Sequence, residues 1–171
     1  RFFGPSNGGL IFNSPLETEV FRIDHDQAFE QTTNLRYQWP RSGPWISFTW
    51  RYDSGLVAGA VPDMEAALAL TPAQQAAIGL CCGGTRATRL RIPAPGTADP
   101  DHNPPRIAPR HIFSIGVGTD NLFHTGPVRT TLRLEVVNLT NASALYNFLS
   151  TFSGTHFVAP RTCMVELGLA F

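Results

Sequence analysis

The chain has 171 residues, 43% of them hydrophobic, enough for one domain with a sizeable buried core. Thirteen acidic residues balance thirteen basic ones, all arginine, so no field of one sign points to nucleic acid. No apolar run approaches the ~20 residues of a membrane helix, which excludes helical spanning and leaves spanning strands of about ten residues open.

The opening R-F-F-G-P-S-N-G-G has neither an initiator methionine nor a charged-then-apolar signal pattern, and the expectation is that the native start lies upstream. The first strand is expected near 29–39, where the odd positions Phe29, Leu35, Tyr37 and Trp39 are mostly apolar, with Gln31 and Thr33 between them, and Glu30, Thr32, Asn34, Arg36 and Gln38 are all polar. Successive side chains of a strand point to opposite faces, so one face is apolar and the other polar. P-R-S-G-P then reverses the chain. The second strand, near 45–53, sets Ile46, Phe48, Trp50 and Tyr52 against Ser47, Thr49, Arg51 and Asp53.

A long insert follows, 54–110. Asp63 is placed to cap a short helix through M-E-A-A-L-A-L. T-P-A-Q-Q-A-A-I-G reads as a second helix, with Thr71 as N-cap, Pro72 at its first position and Gly79 at its end. The proline-rich remainder favours an irregular, extended path. The third strand, near 111–120, sets Phe113, Ile115 and Val117 against Ser114, Gly116, Gly118 and Asp120, with Ile112 as an exception. A short connection leads to the fourth, near 129–138, with Leu132, Leu134 and Val136 against Thr131, Arg133 and Glu135, and with Val137 breaking the polar side. About 22 residues later the fifth, near 163–171, sets Cys163, Val165, Leu167, Leu169 and Phe171 against Met164, Glu166, Gly168 and Ala170. Short and long connections therefore fall at opposite ends of one sheet.

Alternation does not reveal its own sign. A sandwich buries the apolar face, whereas an outer-membrane barrel turns it toward lipid. Aromatic residues gather at the strand ends: Tyr37, Trp39 and Phe171 at the short-turn end; Phe29, Trp50, Tyr52 and Phe113 at the long-loop end. Two interfacial girdles are expected from them. Short turns on one side and long loops on the other have the form of periplasmic and extracellular connections. Strand-borne charges keep to the polar faces, and Arg36, Arg51, Arg133, Glu135 and Glu166 are the candidate lumen-facing residues. The three arginines can meet an anionic or peptide ligand by bidentate hydrogen bonding, or pair with neighbouring acids. Phe171, after apolar residues at every second position, is expected to serve as an assembly signal.

The stretches R-I-D-H-D-Q-A-F-E-Q-T-T-N-L-R-Y-Q, W-R-Y-D-S-G-L-V-A-G-A-V-P, H-N-P-P-R-I-A-P-R-H-I-F-S-I-G-V-G-T-D-N-L-F and L-R-L-E-V-V-N-L-T-N, with Y-N-F-L-S-T-F-S-G-T-H-F-V-A-P-R-T, cover most of the chain. They resemble the carboxy-terminal barrel strands of TonB-dependent receptors, particularly the large acidobacterial kind with a carboxypeptidase-regulatory-like amino-terminal domain. N-L-T-N followed by P-R-T is the most specific part. The resemblance implies an all-β fold, about five antiparallel up-and-down transmembrane strands of a larger barrel, with a partly helical extracellular loop. It implies uptake of a scarce ligand at the bacterial outer membrane through a plugged barrel of about 22 strands. The implied partners are the remaining barrel and plug, the TonB energy-coupling system acting through that plug, the barrel-assembly machinery and outer-membrane lipid, with no nucleic acid. Five strands make no closed channel, so a fragment or a chain of a split receptor is expected.

No catalytic set is expected: there is no G-x-S-x-G elbow, and G-V-G-T-D-N lacks the third glycine of a dinucleotide fingerprint. Asp24-His25-Asp26 and Asp99-Pro100-Asp101-His102 offer metal-ligand chemistry but read as solvated loop charge, so neither metal nor cofactor is expected. Cys81 and Cys82 are adjacent and fit no zinc spacing, and with Cys163 they fix no redox compartment. Asn138-Leu139-Thr140 and Asn141-Ala142-Ser143 match glycosylation sequons by pattern. Two rival readings remain: a secreted or surface-attached β-sandwich binding module with 54–110 as its recognition insert, and a structural subunit of a membrane assembly.

Overall fold

The computed structural model describes residues 22–23, 25–40, 43–58, 61–80, 87–123, 128–150 and 153–170. Asp24, Cys81, Cys82 and Phe171, and with Phe171 the expected assembly signal, lie outside the described residues. The chain is all-β, mostly antiparallel, with two short helices. In chain order its elements are β1 (Glu30–Gln38), β2 (Trp45–Asp53), α1 (Met64–Ala69), α2 (Pro72–Ala77), β3 (Leu90–Arg91), β4 (Arg106–Ile107), β5 (Arg110–Thr119), β6 (Arg129–Val137), β7 (Leu145–Ser150), β8 (Gly154–Phe157) and β9 (Thr162–Ala170). No helix among the described residues is long and apolar enough to cross a membrane. The described residues gather into two compact units.

One unit comprises residues 30–53, 111–143 and 159–170 and carries a five-stranded sheet in the order β1-β2-β5-β6-β9. β1 and β2 pair antiparallel from Glu30↔Asp53 to Gln38↔Trp45, and β6 and β9 from Arg129↔Ala170 to Val137↔Thr162. The five alternating stretches of the sequence are these five strands, each end within one residue of its expected place. Pro40 ends β1 because proline has no ladder donor, and the turn closes with Trp39 N–H donating to Pro44 O at 3.0 Å.

The other unit comprises 22–29, 54–110 and 144–158. It owns the hydrophobic core: Leu56, Ala58, Val61, Ala67, Ile78, Leu80, Leu90, Ile107, Leu145 and Phe148 are all buried and in mutual contact. Both expected helices form with the expected caps. Asp63 Oδ1 accepts from Ala66 N–H at 2.8 Å, and Thr71 forms a capping box with Gln74 ahead of Pro72. Gln75 Nε2 ties the pair together by donating to the Leu68 and Leu70 carbonyls, at 2.9 Å each, filling orphan acceptors at the end of α1. Gly79 follows α2 at φ +79°. Gly55, at φ +97°, lies so close to the Ile107 carbonyl that a Cβ has no room; this lets Leu56 enter the core beside β4.

The β7–β8 hairpin was not expected from sequence. Its register shifts between Leu145 and Asn147 and again between Asn147 and Ser150, and Leu149 takes φ +46°. Those irregularities break the two-residue period by which a strand is read.

Candidate functional site

The five-stranded sheet sorts its side chains by face. Register places Arg36 opposite Ser47, Arg51 opposite Thr32, and Arg133 opposite Glu166 on one side and Gly118 on the other; Glu135 is opposite Gly116 and Met164. The five candidate lumen residues thus share one face. Arg51 Nη2 meets Glu30 Oε1 at 2.9 Å and its Nε meets Asp53 Oδ1 at 3.3 Å. Arg133 Nη2 meets Glu135 Oε2 at 2.7 Å. Glu166 stands across the ladder from Arg133 as a second negative neighbour.

Trp45 organises the short-turn end of this face, and the sequence reading passed over it. Parity with Ser47 and Thr49 puts it on the polar side, where an indole needs a floor. Gly116 and Gly118 supply one: a Cβ on Gly118 comes within 2.6 Å of the Trp45 ring, and one on Gly116 within 3.4 Å. The Arg36 guanidinium lies 4.5 Å from the ring centroid and that of Arg133 lies 6.0 Å away, within cation–π range. Trp45 Nε1–H donates to Asp120 Oδ1 at 3.3 Å, and Arg36 approaches Asp120 Oδ2 at 3.8 Å. Trp45 is the one buried hydrophobic residue among the described residues of this unit.

The opposite face is apolar and is not covered by any of the described residues. Leu35 is 62% exposed, Val165 71%, Leu167 65% and Leu169 59%. Of the candidate girdle residues, Tyr37 and Trp39 meet edge-to-face at 4.9 Å near the short-turn end. Phe113 stacks on Phe48 at 6.0 Å, and Trp50 and Tyr52 are joined through His111, which also stacks on Phe113. Trp50 Nε1–H donates to His111 Nδ1 at 3.1 Å. His111 begins the expected third strand, yet nothing in its spacing marked it as part of an aromatic array.

The N-L-T-N and P-R-T motifs form one joint. Asn138, at φ +54°, is buried; its Nδ2 donates to the Ala142 carbonyl at 3.0 Å and to the Ala159 carbonyl at 2.8 Å, while its Oδ1 accepts from Ala142 N–H at 2.8 Å. Asn141, at φ +51°, accepts from Arg161 N–H at 2.9 Å. The first sequon asparagine is therefore committed to a structural role, fastening the exit of β6 to the approach of β9.

The two acidic loop clusters also hold structure. Arg106 Nη2 pairs with Asp26 Oδ2 at 2.6 Å, and this hydrogen bond, against a smaller opposing effect of burial, lowers the Asp26 carboxyl below its usual range. Asp99 Oδ1 accepts from the backbone N–H of Asp101 at 2.8 Å and of His102 at 2.9 Å; the His102 and Asp101 amides lower its pKa too. Among the described residues no three His, Cys, Asp or Glu side chains converge as a metal site would require. Cys163 is a free, exposed thiol on the apolar face of β9.

Comparison with protein-family models, with curated proteins and with solved structures returned no match.

Proposed function

We propose that the five-stranded sheet is a wall segment of an outer-membrane β-barrel of the TonB-dependent receptor type, serving uptake of a scarce ligand. The observation that carries this reading is the uncovered apolar face, continuous across β1, β2, β5, β6 and β9, beside a polar face of ion pairs. A sheet that turns leucine and valine outward and pairs its charges on the other side suits acyl chains on one side and an enclosed aqueous space on the other. Strand length agrees: β1, β2, β6 and β9 have nine residues and β5 has ten, against the 9–11 or so that a tilted spanning strand needs. The aromatic contacts at both strand ends suit the two interfacial levels.

β1 and β9 form the edges of this sheet. In hydrocarbon, unpaired edge groups cost several kcal/mol each, so the reading requires further strands on both sides, the remaining barrel, with a plug inside it as the point of contact for TonB. On this reading the long connection 54–110 would be extracellular, and the short turns periplasmic.

A sandwich module needs a second sheet over the same apolar face. Membrane extraction separates the two. For the barrel wall, the chain expressed with an outer-membrane targeting sequence sediments with the membrane fraction, resists alkaline carbonate and is released by detergent. Recovery as a monomer in the soluble fraction would sink the proposal.

A further inference from the structure

We propose that a cleft in the unit formed by 54–110 and its partner segments binds a small organic carboxylate, with Arg91 as its principal contact. The cleft, about 350 Å³, is lined by Ser54, Arg91, Ile92, Pro93, His102 and Arg106 among others, and by no carboxylate. In the short β3–β4 ladder Arg91 stands directly opposite Arg106. Like charges directly opposite one another across a ladder repel, so this pair needs negative charge nearby.

Arg106 has its share. Its Nη2 pairs with Asp26, and its Nη1 donates to the Asp26 and Gly55 carbonyls at 3.0 and 3.3 Å. Arg91 has no side-chain hydrogen bond or ion pair among the described residues. One guanidinium is thus neutralised inside the protein, and the other belongs to a cleft-lining residue whose side chain has no partner among the described residues. Ser54 adds a donor: its Oγ accepts from Phe29 N–H at 2.9 Å, which leaves the hydroxyl hydrogen for a ligand.

The ligand class follows from what the cleft supplies. A planar fork matches a carboxylate bidentately, and one open guanidinium balances one negative charge. Ile92 and Pro93 give an organic tail an apolar wall that an inorganic anion cannot use. Beyond His102 lie Asp99 and Asp101, at 3.5 and 3.6 Å from its ring nitrogens, so a second negative charge on the ligand meets repulsion there. The inference rests on this unit alone and stands whichever medium covers the sheet.

The test is calorimetric titration of the full chain in detergent with acetate, isovalerate and benzoate, with isovaleramide as the neutral control and inorganic phosphate as the competing anion. Saturable single-site binding of isovalerate or benzoate with Kd at or below ~1 mM, and none of isovaleramide, is expected. Arg91→Gln should weaken it by at least about tenfold, the loss of a charge-assisted bond, with Arg91→Lys in between. Because Arg91 is exposed and its side chain has no partner among the described residues, the circular dichroism of both variants should equal that of the parent. Absence of saturation by all three carboxylates, equal binding of the amide, phosphate binding as tightly as the best carboxylate, or an unchanged Kd in Arg91→Gln would each overturn the proposal.

Discussion

Leu134→Arg tests which medium meets the apolar face. Leu134 sits mid-strand in β6, flanked by Val117 on β5 and Val165 on β9, and is 42% exposed. With water over this face, the substitution exchanges one half-exposed side chain for another and costs within about 0.5 kcal/mol. With acyl chains over it, the cost is about 2–4 kcal/mol at the bilayer midplane, falling to about 0–1 kcal/mol near the interfaces. The fall-off is the discriminating feature, because a covering second sheet would also penalise arginine. Val165 and Leu169 lie four residues apart on β9, roughly 13 Å along the strand. At a tilt of about 40° that is roughly 10 Å in depth, most of the half-height of the ~25 Å apolar band. Val165→Arg should therefore match Leu134→Arg, and Leu169→Arg should cost about 1 kcal/mol. The assay is a urea titration of the chain against phospholipid vesicles, followed by tryptophan fluorescence. Three variants within about 0.5 kcal/mol of the parent, or an equal penalty at Val165 and Leu169, would refute the orientation.

Asn138→Ala should destabilise the chain by about 2–4 kcal/mol, since three side-chain hydrogen bonds at a buried site are lost and alanine disfavours φ +54°. Asn138→Gly, which relieves only the backbone, should recover a minor part, and urea midpoints compare the two. Gly118→Val drives a side chain into the Trp45 ring and should cost about 1–3 kcal/mol as overpacking, read as a lowered urea midpoint together with a change in indole emission. The Asp26 pKa is depressed in the folded state, so its pairing with Arg106 stabilises above the unfolded value of 3.8 and is lost as pH falls through the lower folded value. Acid titration of Asp26→Asn should accordingly show a shallower loss of stability below about pH 4 than the parent, and an identical slope would remove the ion pair from the account.

The strands were legible because each has one apolar and one polar face: a period of two survives wherever a sheet meets two different surroundings, and Leu132–Leu134–Val136 against Thr131–Arg133–Glu135 is such a case. The helix caps at Asp63 and Thr71 were legible because capping is local chemistry. What could not be read depends on residues far apart in sequence. Leu145 and Phe148 of β7 join Leu56 and Ile107 in one core, a juxtaposition made by two separate chain segments. The Arg91–Arg106 pair arises from a two-residue ladder, too short to leave a periodic trace. Trp45 was concealed by parity, because an aromatic residue on a polar face looks like an exception until the glycines that floor it are known.

The placement of apolar side chains argues that something outside the described residues covers the sheet. Burying a valine or leucine side chain fully is worth about 1.5–3 kcal/mol. Leu35, Val117, Leu134, Val165, Leu167 and Leu169 are each 40–71% exposed, so on the order of 5–10 kcal/mol of hydrophobic stabilisation stands unrealised on these six positions alone. That is comparable to the whole stability of an ordinary domain, about 5–15 kcal/mol. The unit containing 54–110 shows the opposite arrangement within the same chain, with Ile78, Leu80, Phe148 and their neighbours turned inward and dry. Composition is therefore not the cause, since one chain builds both a closed core and an open apolar wall. A wall of this kind is stable where its surroundings are themselves apolar, and its opposite face, with Arg51–Glu30, Arg133–Glu135 and the Trp45 array, is stable where its surroundings are wet.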